Sequence, residues 1–134
     1  MNYHLSSVRE NHLADLIYDK LVNSSVKISD SVLSIIDWTG VDEDFHILVG
    51  EHCINKLDNL IYVGIINTDQ NSRLFVFCGD KINQKYKAVD LARQISKSFG
   101  GSGGGTERFA QGGCSKISDT KTIINTVQSL VNIK

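Results

Sequence analysis

Apolar residues recur along this chain at two periods, and each change of period marks a new element. Leu13, Leu16, Ile17 and Leu21 fall at helical intervals behind Ser7-Val8-Arg9-Glu10, which has capping-box spacing. Residues 7–22 therefore read as an amphipathic helix. Ser31 to Asp37 (SVLSIID) is a short run of branched residues, the pattern of a buried strand. Asp42, Glu43 and Asp44 favour the start of another helix, because carboxylates suit the positive end of the helix dipole. Phe45, Leu48, Val49 and Leu57 supply its apolar stripe, with Gly50 as its weak point. Leu60 to Ile66 (LIYVGII) and Arg73 to Cys78 (RLFVFC) are β-prone runs joined by polar residues 67–72, a hairpin pattern. Both are nearly continuous in apolar residues, so helices are expected on both faces of the sheet. Ala88, Leu91, Ala92, Ile95 and Phe99 form the clearest helical stripe, with Lys87, Asp90, Gln94 and Lys97 opposite and Gly100 placed to cap the C-terminus. Ser118 or Asp119 caps a last helix carrying Ile123, Ile124, Val127, Leu130 and Val131. The order predicts an α/β (α+β) fold: a small mixed β-sheet packed with helices, followed by a Gly-rich loop and a C-terminal helix. Residues 1–30 are read as an N-terminal helix and connection, and 31–134 as the main unit of a single compact whole.

Composition narrows the class. The 134 residues are 41% hydrophobic with a net charge of −1, enough apolar content for one domain to bury a core. No apolar run reaches membrane-spanning length and no charged-then-apolar leader opens the chain, so it is expected to be soluble and cytoplasmic, with no membrane partner. Three cysteines cannot all pair internally, which fits a reducing compartment. The small net charge hides an asymmetry. Residues 1–60 carry four Lys/Arg against ten Asp/Glu, whereas residues 81–116 carry seven Lys/Arg against Asp90 and Glu107. Such a basic segment either attracts phosphates or forms a solvated face.

Within that basic segment, seven of the fourteen residues from Gly100 to Gly113 are glycine. Glycine permits positive φ and close backbone approach, and successive N–H groups can cradle an anion. A dinucleotide-binding loop would follow a strand, but here a helix precedes the glycines; a P-loop needs Gly-Lys-Ser/Thr, and Gly104-Gly105-Thr106 lacks the lysine. A flexible spacer is the competing reading. Against it, the glycines stop at Glu107-Arg108-Phe109-Ala110-Gln111 and resume as Gly112-Gly113, an apolar and basic insertion that a spacer does not need.

The helix KAVDLARQISKSF followed by GGSGGGTERFAQGG resembles the C-terminal DHH-associated domain of alanyl-tRNA synthetases. Arg108, Phe109, Ala110, Gln111, Gly112 and Gly113 carry the most specific part, and SVLSIIDWTG, LIYVGIIN and RLFVFCGD follow the family's strand order. The likeness covers roughly residues 30–134. The associated domain of DHH phosphodiesterases is similar, but it carries a histidine directly after its glycines, where this chain has Thr106-Glu107-Arg108. The resemblance implies a tRNA-holding domain that catalyses nothing alone. It grips the outer corner of tRNA(Ala) while upstream aminoacylation and editing domains act, so the chain would be a fragment or an isolated module. No cofactor is implied for this domain; ATP, Mg and Zn belong to the implied parent, and a homodimer is compatible with the family. The alternatives are the associated domain of a DHH-type phosphodiesterase or exonuclease, or a dimerisation module.

The residues expected to meet RNA are Arg93 and Lys97 on the basic helix, Gly101, Gly103, Gly104 and Gly105 as a backbone cradle, and Arg108, Phe109 and Gln111. Arg108 can fork onto a phosphate, or pair with Glu107 or another acid. Phe109 offers a face to an unstacked base, or anchors the core beneath the segment. Gln111 can reach a base or ribose edge. Other chemistry is poorly supported. His46 and His52 are six apart rather than the four of a helical zinc pair. Cys78 reads as a small core residue and Cys114 as inert. No catalytic residue and no metal site are expected.

Overall fold

The computed structural model of the chain describes residues 26–28, 31–37, 43–117 and 120–132. The helix expected over 7–22 and the caps at Ser118 or Asp119 lie outside the described residues. Six strands form one mixed sheet: β1 (Val26–Ile28), β2 (Ser31–Asp37), β3 (Leu60–Asn67), β4 (Asn71–Cys78), β5 (Ser102–Gly105) and β6 (Phe109–Ser115), in the spatial order β1-β2-β3-β4-β6-β5. Only β2 and β3 run parallel, with Val32 opposite Leu60 and Asp37 opposite Ile65. Helix α1 (Glu43–Lys56) makes the crossover that parallel neighbours require. Helices α2 (Ala88–Ser98) and α3 (Thr120–Asn132) follow β4 and β6. The mixed α/β class read from the sequence is the class observed.

Because side chains alternate along a strand, the continuous apolar runs of β3 and β4 serve two cores. Ile61, Val63, Ile65, Leu74 and Val76 face α2 and α3, joining Leu91, Ile95, Ile123 and Val127. Leu60, Tyr62, Phe75 and Phe77 face α1, joining Val49, Cys53 and Ile54. Helices thus cover both faces of the central strands, as those runs predict.

The buried side of α1 differs from the expected stripe. His46, Val49, Gly50, Cys53 and Ile54 are buried, while Phe45 and Leu57 pack at the margin and Leu48 is only half-buried. Hydrophobicity alone cannot rank His46 as core. Its ring stacks on Phe75 at 5.8 Å between centroids, and its Nδ1 shares a 3.1 Å hydrogen bond with the Tyr62 hydroxyl. Gly50 is a contact point rather than a weakness: a Cβ there would lie 2.3 Å from the ring of Phe77. Phe77 is itself wedged between Tyr62 and Phe109. Alanine gains up to about 1 kcal/mol over glycine in helix propensity, but overpacking a rigid ring costs about 1–3 kcal/mol. Gly50→Ala is therefore expected to lower stability by about 1–2 kcal/mol, read as a reduced urea midpoint at constant slope.

The largest departure from the sequence reading is the glycine-rich segment. It is not a loop but an antiparallel hairpin that completes the sheet: Ser102 pairs with Gly113, Gly103 with Gly112, Gly104 with Gln111 and Gly105 with Ala110. Glycine's poor strand propensity is outweighed because α2 needs the room. Ala88, Ala92 and Ser96, four residues apart, are buried along one side of α2. A Cβ on Gly112 would come within 2.0 Å of Ser96 Oγ, and one on Gly103 within 3.1 Å of the Ala92 carbonyl oxygen. Small side chains on the helix, facing glycines at positions 103 and 112 of the strands, let the two backbones close together.

The hairpin also finishes both ends of α2. Gly100, at φ +79°, ends it in a Schellman motif: the Gly101 N–H donates to the Ser96 carbonyl at 2.7 Å and the Gly100 N–H to that of Lys97 at 3.2 Å. At the other end Lys87, in the N-cap position, offers no side-chain cap. Instead the hairpin tip supplies main-chain acceptors, with the Ala88 N–H donating to the Glu107 carbonyl at 2.8 Å and that of Val89 to the Thr106 carbonyl at 3.0 Å.

Candidate nucleic-acid interface

Alternation along β5 and β6 divides the hairpin into two faces. Ala110, Gly112, Cys114 and Gly103 face α2. Phe109, Gln111 and Gly113 on β6, with Ser102 and Gly104 beside them on β5, face the α1 side of the sheet. Helix α1 packs over β3 and β4 and stops there. A Cβ on Gly104 or Gly113 would meet no described atom within 4 Å. Among the described residues, none covers the backbone at Gly104 and Gly113, the two glycines that flank the Gln111 side chain on this face.

Arg108 stands at the tip. Its guanidinium pairs with Asp80, and Nη2 donates to Asn55 Oδ1 at 3.0 Å. Of the two pairings read from sequence, the one with "another acid" is realised, while Glu107 takes Lys87 instead at 2.6 Å. That hydrogen bond, with the charge of Glu107 behind it, raises the Lys87 pKa. The Arg108 and Asp80 side chains remain 40% and 71% exposed, so solvent reaches the pair. Phe109 combines both of its readings. One face stacks on the buried Phe77, with centroids 4.4 Å apart and planes at 23°, yet the residue stays half-buried at the edge of the core.

Gln111 lies two residues further along β6 and meets a group the sequence reading missed. Arg73, on β4, grips Glu43 with both arms, at 2.6 and 3.2 Å, and its Nη2 also donates to Gln111 Oε1 at 3.1 Å. The guanidinium sits 5.6 Å from the centroid of the Phe75 ring. The only sequence signal was a charge opening an otherwise apolar run. Its partners stand 30 and 38 residues away, out of reach of local patterns.

The other expected residues are distributed differently. Arg93 and Lys97 are exposed on α2, across the sheet from Phe109 and Gln111. Of the four expected glycines only Gly104 lies on the open face; Gly103 faces α2, Gly101 abuts the Gly113 carbonyl, and Gly105 adopts φ +153° before the tip. A strand points successive N–H groups to opposite sides, so the expected convergent cradle is replaced by a flat ladder in which β5 is the outermost of the described strands.

Burial pushes the Cys53 and Cys78 thiols up to about 12 and raises Cys114 as well. Among the described residues, no cluster of three or more His, Cys, Asp or Glu side chains could hold a metal ion. Nor is any helix among them long and apolar enough to cross a membrane.

Residues 32–132 match the family described as DHHA1 domain. The chain is 35% identical over 89 residues to the alanine–tRNA ligase of Orientia tsutsugamushi (strain Ikeda), an alignment covering 61% of this chain and 10% of the relative. It is 25% identical over 122 residues to that of Psychrobacter cryohalolentis, covering 91% and 14%. The chain thus spans only about a tenth of the length of these curated relatives. Its fold is similar to the C-Ala domain of Aquifex aeolicus alanyl-tRNA synthetase, with a TM-score of 0.76 at 14% identity over 82% of this chain and 99% of that one.

Proposed function

The chain belongs to the DHHA1 domain family, and on that premise we propose that it is the tRNA-holding module of an alanine–tRNA ligase, gripping tRNA(Ala) while upstream domains aminoacylate and edit. It performs no chemistry itself; ATP, Mg and Zn serve the upstream domains, and the working place is the cytoplasm. The observation that carries this reading is the face of the hairpin at Gly104 and Gly113, which no described residue covers. Gly104 and Gly113 give nucleotides a floor without side chains, half-buried Phe109 offers an apolar edge, and Arg108 stands at the rim. RNA is recognised largely by shape and by stacking, and such a floor admits both. Arg93 and Lys97, on the other side of the sheet, add a second basic surface for the phosphate backbone.

Titration of a labelled tRNA(Ala) transcript with the 134-residue chain tests the reading. Binding is expected to weaken linearly on a log–log plot against salt, with a slope of about −2 to −4 if three or four phosphates are neutralised. Absence of binding at low salt, or an affinity indifferent to salt, overturns it.

A further inference from the structure

We infer that Arg73 fixes the polarity of Gln111, so that the hairpin face at Gly104 and Gly113 presents an N–H donor to a hydrogen-bond acceptor on the bound RNA. The inference rests on the RNA-holding reading above and deepens it. A guanidinium only donates, so the Gln111 side chain must turn its carbonyl oxygen to Arg73, as the 3.1 Å contact requires. Its amide nitrogen is left with two N–H groups that no described residue accepts. Glu43 meets both arms of Arg73, and the guanidinium carbon lies 5.6 Å from the Phe75 ring centroid, which together favour this one placement. Glu43 in turn has its charge answered, so no bare carboxylate faces an incoming phosphate.

The surroundings agree. Gly104 is the cross-strand partner of Gln111, and Gly113 is two residues along on the same face. Neither carries a side chain to fend off a ligand, so an acceptor oxygen can approach the amide closely. A glutamine free to flip would accept donors and acceptors alike; one held by its oxygen selects acceptors. Arg73 is in this sense a positioning residue and Gln111 the contacting one. The acceptor is an oxygen of a nucleobase or of a phosphate.

The test uses the full chain with a tRNA(Ala) transcript, and inorganic polyphosphate as a probe carrying phosphate oxygens without bases. Gln111→Met, which keeps the length but removes both donors, is expected to weaken tRNA binding about fivefold, the scale of one neutral hydrogen bond. Arg73→Met, made together with Glu43→Gln so that no carboxylate is exposed, should lose a smaller factor, about twofold, because a freed amide still donates in one of its two orientations. Adding Gln111→Met to that pair should bring the loss to that of Gln111→Met alone and no further, because Arg73 acts only through the Gln111 amide. Arg73→Lys, with one donor head, should fall between. The salt slope should stay that of the unaltered chain. If Gln111→Met also weakens polyphosphate, the acceptor is a phosphate oxygen; if it weakens only tRNA, the acceptor is on a base. Wild-type affinity in Gln111→Met while Arg108→Ala binds weakly overturns the inference and leaves the RNA reading standing. A slope flatter by about one in the Arg73 variant makes Arg73 a phosphate ligand and also overturns it. No tRNA binding by the unaltered chain removes the reading beneath.

Discussion

Gly101→Ala is expected to destabilise the fold by about 3 kcal/mol or more, while Gly104→Ala and Gly113→Ala stay within about 0.5 kcal/mol of the parent. All three glycines lie in one short hairpin, and composition treats them alike. The difference is what a methyl group would meet. At Gly101 it would sit 1.8 Å from the Gly113 carbonyl oxygen and 2.6 Å from the Cys114 Cα, both main-chain atoms of a paired strand that cannot turn aside. At Gly104 and Gly113 no described atom lies within 4 Å, and alanine even reduces the entropy of the unfolded chain. Gly112→Ala falls between, because its methyl would meet the rotatable Ser96 Oγ at 2.0 Å; Ser96→Ala should restore part of the loss. Thermal unfolding of the four alanine variants measures this directly, with Gly101→Ala melting roughly 10 °C lower. A uniform mild response across all four would mean that the segment is a slack connector.

Arg108→Ala is expected to weaken tRNA binding about tenfold, and Asp80→Asn to strengthen it about two- to fivefold at low salt. Arg108 is engaged in the free protein, since Asp80 and Asn55 hold both its terminal nitrogens. An ion pair this exposed is worth little, about 0–1 kcal/mol, so exchanging Asp80 for a phosphate is cheap. Removing the Asp80 charge leaves the guanidinium ready for the ligand. The double variant decides whether the gain passes through Arg108: in the Arg108→Ala background, Asp80→Asn should add almost nothing. Full affinity in Arg108→Ala, or weaker binding in Asp80→Asn, contradicts the placement of RNA at the tip.

How far the sequence reveals this molecule depends on what holds each part. Strands β2, β3 and β4 and helix α2 are written in their own side chains, so their periodicity shows them. Gly100 is legible as a helix terminus because positive φ is a local demand. Strands β5 and β6 are not legible, since glycine has no side chain to alternate and its partners are set by α2. His46 is hidden for another reason: a polar ring enters the core only because Tyr62 bonds it and Gly64 leaves space, where a Cβ would stand 2.7 Å from its Nδ1. At the candidate site Arg108, Phe109 and Gln111 are visible as an insertion among glycines. Arg73, Glu43, Asp80 and Asn55 come from elements far off in the chain, and only the folded sheet brings them to the same edge.

The tip of the hairpin reaches back to the first turn of α2, and this ties two lengths together. Eleven helical residues rise about 16 Å, and the five steps from Gly101 to Thr106 along the ribbon return about the same distance. Helix and ribbon are therefore commensurate. Lengthening the helix by one turn, about 5.4 Å, calls for one or two more residues in each strand, or the tip falls short of the helix start. Insertions and deletions in related chains should accordingly travel in matched sets, helix with ribbon, and a lone glycine added to the block should be tolerated less well than a longer change that keeps the two in step.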